Sequence, residues 1–343
     1  MKALLRILLF LFGAGAANAA SSAANFAKRP EVRVFIAEMH DRHGFAAKDL
    51  LQSFSRIRPI PAVIQAILPP RDPGVRSWQA YRARFVEPKR IALGLKFWHR
   101  HGAALAAARE RTGVPEEIVL AIIGVETIFG HHVGNFGTLA ALATLAFDYP
   151  RTGAPGDSRY VASRAALFRG ELEQLLLLAR EMHRDPLSYK GSYAGALGLP
   201  QFLPSSVRHY AVDGDQDGRI DLAANPDDAI ASVANFLKEH GWDQDAPVAI
   251  AASADGEKFA ALIDEGIVPR RTPSEMASFG VISGDAPDLP AALIDLVTPR
   301  QPTEYRLGYR NFYVLTRYNR SSFYAMAVFD LARQLRAGRQ LIE

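Results

Sequence analysis

Two stretches of this 343-residue chain hold side chains whose type and spacing could do chemistry. The first is IIGVETIFG, residues 122–130, in which Glu126 is the one charged residue of an otherwise apolar run. On a helix, Ile118, Val119, Ile122 and Ile123 lie one or two turns before it on the same side, so the carboxyl emerges on an apolar face. Burial disfavours the ionised form and moves the pKa toward neutrality, which lets a general acid hold its proton at working pH. The competing reading is a structural carboxylate paired with an arginine, and periodicity alone favours it. No second acid lies nearby, the next being Asp148. A standard glycosidase uses two carboxylates, whereas a substrate-assisted one works with a single acid.

The second stretch is DGDQDGRIDL. Asp213, Asp215, Asp217 and Gly218 follow D-x-[DN]-x-[DN]-G, a spacing that converges carboxylates on Ca²⁺ while glycine makes the turn. Arg219 would contribute its backbone carbonyl. Position 12 of a standard loop is Ala224 where a bidentate glutamate belongs, and Asp228, four residues on, is placed to close the shell instead. Acids this close repel unless a cation or solvent relieves them. A structural Ca²⁺ is therefore expected, the alternative being a metal-free Asp/Gly turn, and no catalytic cofactor is expected at all.

Other patterns fall away. In KGSYAG, Lys190 and Ala194 stand where a nucleophile elbow needs glycine around Ser192. His131 and His132 lack the H-E-x-x-H spacing of zinc enzymes, and there is no Walker or dinucleotide glycine pattern.

The elements that must position these residues are mostly helical. PEEIVLAIIGVETIFG is apolar nearly all round, which predicts a buried helix opened by Gly113 and Pro115, with Glu116 and Glu117 at its positive end. Helices are predicted over 138–147 and 163–183, and DDAIASVANFLKEHG is another, closed by Gly241. Upstream, EVRVFIAEMHDRHG and KRIALGLKFWHRHGAALAAARERTG are helical, in a region punctuated by Pro59, Pro61, Pro69, Pro70 and Pro73. After Asp243, PVAIAAS, ALIDLV, TEYRLG and FYVLTRY read as short strands, and SSFYAMAVFDLARQLRAG is helical again. The expected organisation is a signal peptide over 1–19, a linker over 20–29 and an N-terminal helical region over 30–110. A helical core with the calcium loop follows over 111–245, then a small α/β insertion over 246–305, and 306–343 returns to the core. The fold class is mainly α.

The leader has Lys2 and Arg6, an apolar run from Ile7 to Ala16 and the small-residue site Ala17-Asn18-Ala19, which reads as a secretory signal cleaved near Ala19. That run is about half the ~20 residues a spanning helix needs. With no cysteine, neither a disulfide nor an N-terminal lipid anchor is expected, and a soluble periplasmic monomer is the simplest reading. The chain is 49% hydrophobic, enough for a large core, and its net charge of +4 does not argue for nucleic acid.

Together, YRARFVEP, FWHRHG, GVPEEIVLAIIGVETIFG, LATLAFDYP, GSYAGALGLPQFLPSS, SVANFLKEHGW and FYVLTRYNRSSFYAMAV resemble, in order, the lytic murein transglycosylase B family, periplasmic enzymes that cleave peptidoglycan glycan strands. The resemblance implies a lysozyme-like helical core, a glycan cleft, and a single catalytic carboxylate in G-V-E-T, which is Glu126. It implies glycan-binding roles for Tyr81, Ser192, Gln201, Tyr318 and Asn319, and a calcium loop over Asp213 to Asp221 with Asp228 as the late ligand. Two positions depart from the pattern. Phe236 stands where the family commonly has an aromatic hydroxyl, and Pro200 precedes Gln201 where G-Q-F is usual.

Overall fold

The computed structural model describes residues 25–69, 76–151 and 157–341. The signal peptide, the start of the linker, Pro70 and Pro73 lie outside the described residues. In chain order the early helices are α1 (Pro30–His43), α2 (Ala47–Ser55), α3 (Pro61–Ile67), α4 (Trp78–Phe85) and α5 (Pro88–Thr112). The middle of the chain forms α6 (Glu116–Thr127), α7 (Thr138–Phe147), α8 (Asp157–Glu181), α9 (Pro204–Tyr210) and α10 (Pro226–Glu239). The last are α11 (Ala260–Asp264), α12 (Pro273–Ala277), α13 (Arg310–Tyr318) and α14 (Ser322–Gln340). Proline opens α1, α3, α5 and α10, where its missing N–H costs nothing. Gly113 ends α5 in the left-handed conformation at φ 72°, which frees the chain to start α6 three residues later. None of the described helices is long and apolar enough to cross a membrane.

The described residues group into two compact units, one within 25–69 and 133–209, the other within 76–132 and 210–341. In the first, α7 is buried from Thr138 to Ala146 and packs along α8. Strand β1 (Phe136–Gly137) pairs antiparallel with β2 (Lys190–Gly191). Helix α8 begins at Asp157, earlier than predicted, because its first turns are exposed and carry no amphipathic signal until Phe168 turns inward.

In the second unit, α6 is buried from Ile118 to Thr127 and packs against α5, α10 and α14. Strands β3 (Ala249–Ala254), β4 (Val281–Ile282), β5 (Ala292–Leu296) and β6 (Glu304–Gly308) form an antiparallel sheet in the order β4-β3-β6-β5. A small core of its own, including Leu262, Met276, Val281, Leu293, Leu307 and Tyr309, supports that sheet. Three of the predicted strands are present, and FYVLTRY is a correction: it lies in helix α13. A short apolar run is ambiguous between strand and helix. Here Asn311, Val314 and Leu315, and Phe312, Leu315 and Thr316, are buried at helical spacing.

Candidate active site

Glu126 sits in the last turn of α6 and is only 7% exposed. Its sequence surroundings explain the burial, since every residue from Ile118 to Val125 faces packed neighbours. The chain then leaves α6 abruptly. Ile128 and Phe129 both take left-handed backbone, at φ 52° and 55°, and the N–H groups of Ile128 and Phe129 donate back to the carbonyls of Gly124 and Ile123. For a β-branched residue that conformation is strained, by ~1–3 kcal/mol. What holds it is a notch: Phe129 folds back over Gly124 and Gly94, where an added Cβ would stand 2.6 and 2.8 Å from the tip of its ring. The glycine of G-V-E-T is therefore a packing requirement of the turn that follows the carboxylate.

The polar partner of Glu126 comes from α14. The Tyr324 hydroxyl donates to Oε1 at 2.6 Å, and Tyr324 is itself 2% exposed. Among the described residues Glu126 has no ion pair and no arginine partner. Burial lifts its pKa to about 7, and the Tyr324 hydrogen bond pulls in the other direction. The ring of Tyr318, at the end of α13, lies parallel to Tyr324 with centroids 6.4 Å apart, and Phe236 packs on Tyr318 at 4.9 Å. Burial, then the charge of Glu126, raises the pKa of Tyr81, Tyr318 and Tyr324, so all three stay protonated donors at neutral pH. Asn319 is 8% exposed and its Oδ1 has no hydrogen-bond partner among the described residues. Such an acceptor is costly unless a ligand N–H meets it.

These residues, Tyr81, Glu126, Tyr318 and Asn319, all belong to the second unit, and Ser192 and Gln201 to the first. Ser192 closes a tight loop: its N–H donates to the Ala196 carbonyl at 2.8 Å, and its Oγ accepts from the Ala196 N–H at 3.0 Å. The hydroxyl proton of Ser192 is not used in that loop. Gln201, the residue after Pro200, takes φ 52°, and its Nε2 donates to the carbonyls of Val133 and Gly198 at 3.1 and 2.8 Å. Both amide protons are spent on backbone carbonyls, which points the remaining chemistry of Gln201 to its Oε1.

In the acidic loop, carboxylate oxygens of Asp213, Asp215 and Asp217 lie within 4.8 Å of one another. The loop is drawn tight by backbone donors, with Gly218 N–H to Asp213 at 2.8 Å, Arg219 N–H to Asp217 at 2.8 Å, and Gly218 at φ 85° making the turn. Asp228, fully buried on α10, is not in that cluster: its two oxygens accept the N–H groups of Gly214 at 2.8 Å and Asp221 at 2.6 Å, gripping both ends of the loop. Burial raises the Asp228 pKa, its two backbone donors pull it back, and the charges of Asp215 and Asp213 add to the rise. Three converging hard oxygen donors fit a cation such as Ca²⁺.

Tyr324 was not picked out from sequence. The local signal for it is the start of α14, where Ser321 caps the helix by accepting the Tyr324 N–H at 3.3 Å and so fixes which way that turn faces.

Residues 27–333 match the family model described as the transglycosylase SLT domain. The chain is 37% identical over 335 residues to the membrane-bound lytic murein transglycosylase B of Escherichia coli strain K12, covering 94% of this chain and 87% of that one. Its structure is similar to that of the soluble lytic transglycosylase SltB1 from Pseudomonas aeruginosa, with a TM-score of 0.82 and 42% identity, over 91% of this chain and 100% of that one. It is also similar to the Escherichia coli lytic transglycosylase Slt35 in complex with calcium, with a TM-score of 0.77 and 37% identity, over 92% of this chain and 96% of that one.

Proposed function

We propose, from the premise that this chain belongs to the lytic murein transglycosylase B family, that it is a lytic transglycosylase acting on peptidoglycan, with Glu126 as its one acid and base. The observation that carries the reading is a carboxyl buried in an apolar helix end, hydrogen-bonded by a tyrosine and held at about 7, able to give and take a proton near neutral pH. Protonated Glu126 donates to the oxygen joining N-acetylmuramic acid to N-acetylglucosamine. The C1–O bond of the β-1,4 link breaks, and the acetamido oxygen of the muramyl sugar stabilises the positive charge at C1. The resulting Glu126 carboxylate then takes the proton of the muramyl C6 hydroxyl. O6 bonds to C1, leaving a 1,6-anhydro end and a reprotonated Glu126.

Tyr81 and Tyr318 offer ring faces to the sugars. The Oδ1 of Asn319, without a partner among the described residues, suits an acetamido N–H, the Ser192 hydroxyl a sugar acceptor, and the Gln201 Oε1 a sugar hydroxyl. Asp213, Asp215, Asp217 and the carbonyl of Arg219 would hold a structural Ca²⁺, with Asp228 fixing the loop around them; the ion would neutralise the three acids and take no part in the chemistry. Periplasmic location as a monomer completes the proposal.

The test is product analysis. Digestion of purified sacculi should release fragments ending in 1,6-anhydromuramic acid by mass spectrometry, and Glu126→Gln should abolish their release while folding normally. Reducing muramic ends would show a hydrolase instead, and undiminished release by Glu126→Gln would remove the catalytic assignment.

A further inference from the structure

We infer that Arg90 is a positioning residue for glycan binding, acting through the ring of Phe85 to fix the ring of Tyr81. The inference rests on the reading of Tyr81 as a sugar platform. Arg90 lies in the first turn of α5, 7% exposed, and its Nε and Nη1 have no hydrogen-bond partner among the described residues. The nearby Glu87 carboxylate is occupied in capping the helix, accepting the N–H groups of Lys89 at 2.8 Å and Arg90 at 2.7 Å. Burial and the positive end of the helix both disfavour a cation in this place, and the charge of Glu87 offsets only part of that cost. Stability alone would prefer an apolar side chain there.

What the guanidinium does meet is aromatic. Its Cζ stands 5.2 Å from the centre of the Phe85 ring, the last residue of α4. Phe85 is one helical turn from Tyr81, with ring centroids 5.0 Å apart. Tyr81 also meets Phe323 at 5.7 Å, and Phe323 is backed by Trp78 at 5.4 Å and by the Arg76 guanidinium at 4.3 Å. Tyr81 thus touches two tilted rings, each faced by an arginine, and remains partly exposed. The two contacts differ. Phe323 is 4% exposed, whereas Phe85 is half-buried at a helix end, so the Arg90 contact can bear on how its ring is held. Tyr81 lies close enough to Glu126 to feel its charge, so a swing of this ring alters the surface beside the acid.

The test uses the full chain carrying Glu126→Gln, so that no turnover occurs, and titration calorimetry with the tetramer of β-1,4-linked N-acetylglucosamine as the probe. Arg90→Met should melt no lower than its parent yet bind the tetramer about tenfold more weakly, equivalent to one cation–π contact of ~1.4 kcal/mol. Arg90→Lys should recover part of the loss. In a Tyr81→Ala background the Arg90 substitution should add nothing, because the two act on one contact. Unchanged affinity, or the same loss with and without Tyr81, overturns the inference. If Arg90→Met melts well below the parent, Arg90→Lys carries the same comparison: a loss that Tyr81→Ala abolishes supports the role, and an additive loss refutes it. A parent that does not bind the tetramer overturns platform and positioning together. Coupled binding in a protein whose wild type releases no anhydro ends would instead leave Arg90 in place and refute the transglycosylase reading.

Discussion

Replacing Glu126 by Gln should make the protein more stable, and only above a definite pH. In the fold the carboxyl titrates at about 7 rather than its ordinary 4.5, chiefly because burial strips water from the ionised form. At ~1.36 kcal/mol per pH unit, the ionised carboxylate is about 3 kcal/mol less favourable folded than unfolded. The sign follows from proton binding. Below pH 4.5 the group is protonated in both states and costs nothing. As the pH rises from 4.5 to about 7 the unfolded chain releases the proton and the folded chain keeps it, so stability falls, and above 7 the loss is complete. Gln has the same shape, carries no charge, and still offers an oxygen to the Tyr324 hydroxyl. Urea unfolding at fixed calcium should therefore find the two proteins within ~0.5 kcal/mol at pH 4.5, with the variant ahead by about 3 kcal/mol at pH 8. Equal stability at pH 8, or a gap that widens toward acid, would mean the fold ionises this carboxyl cheaply. The case for a general acid near neutrality would then collapse.

Tyr324→Phe removes the donor that favours ionised Glu126, so the alkaline limb of the pH–rate profile for sacculus digestion should move up by about one unit, a hydrogen bond to a charged group being worth ~1.5–3 kcal/mol; a shift toward acid refutes the assignment. Gly124→Ala would place a methyl 2.6 Å from the Phe129 ring, which should cost ~1–3 kcal/mol in a thermal melt and lower the activity of the folded protein as well, because the turn beside Glu126 must move. Calcium at a hundredfold excess over its Kd should stabilise the wild type by about 2.7 kcal/mol and raise its Tm by a few degrees, and Asp213→Ala should not respond. Equal calcium responses of the two proteins would remove the metal site.

What could be read from the sequence was local. Gly113 and Pro115 mark the start of α6, and α6 was readable because an all-round apolar helix has nowhere to go but the interior. Where periodicity was weak the reading failed: FYVLTRY carries as good a strand pattern as a helical one until its burial is known, and the exposed first turns of α8 carry no pattern at all. The site divides in the same way. The burial of Glu126 is written in its neighbours, but its partner Tyr324 lies 198 residues away, and no local spacing announces it. Arginine was the obvious counter-group for a buried acid, and the chain supplies a tyrosine hydroxyl. Likewise the acidic loop announced three converging carboxylates, whereas the two backbone bonds that Asp228 makes at the loop's ends depend on how α10 packs.

The tyrosine in place of an arginine bears directly on mechanism. Two unfavourable terms meet at the end of α6, a buried carboxyl and two left-handed residues without glycine, and Asn319, on the segment leaving α13, adds an Oδ1 with no partner among the described residues. At ~1–3 kcal/mol each they persist because their surroundings are overdetermined, with α6 packed by three helices and Phe129 wedged against two glycines. A guanidinium beside Glu126 would relieve the largest of these costs, and in doing so would hold the carboxyl ionised well below neutral pH. It would then have no proton to give to a glycosidic oxygen. A neutral hydroxyl orients the carboxyl and leaves most of the desolvation uncompensated, so the cost to the fold and the proton affinity that the proposed acid-then-base role of Glu126 needs arise from the same burial.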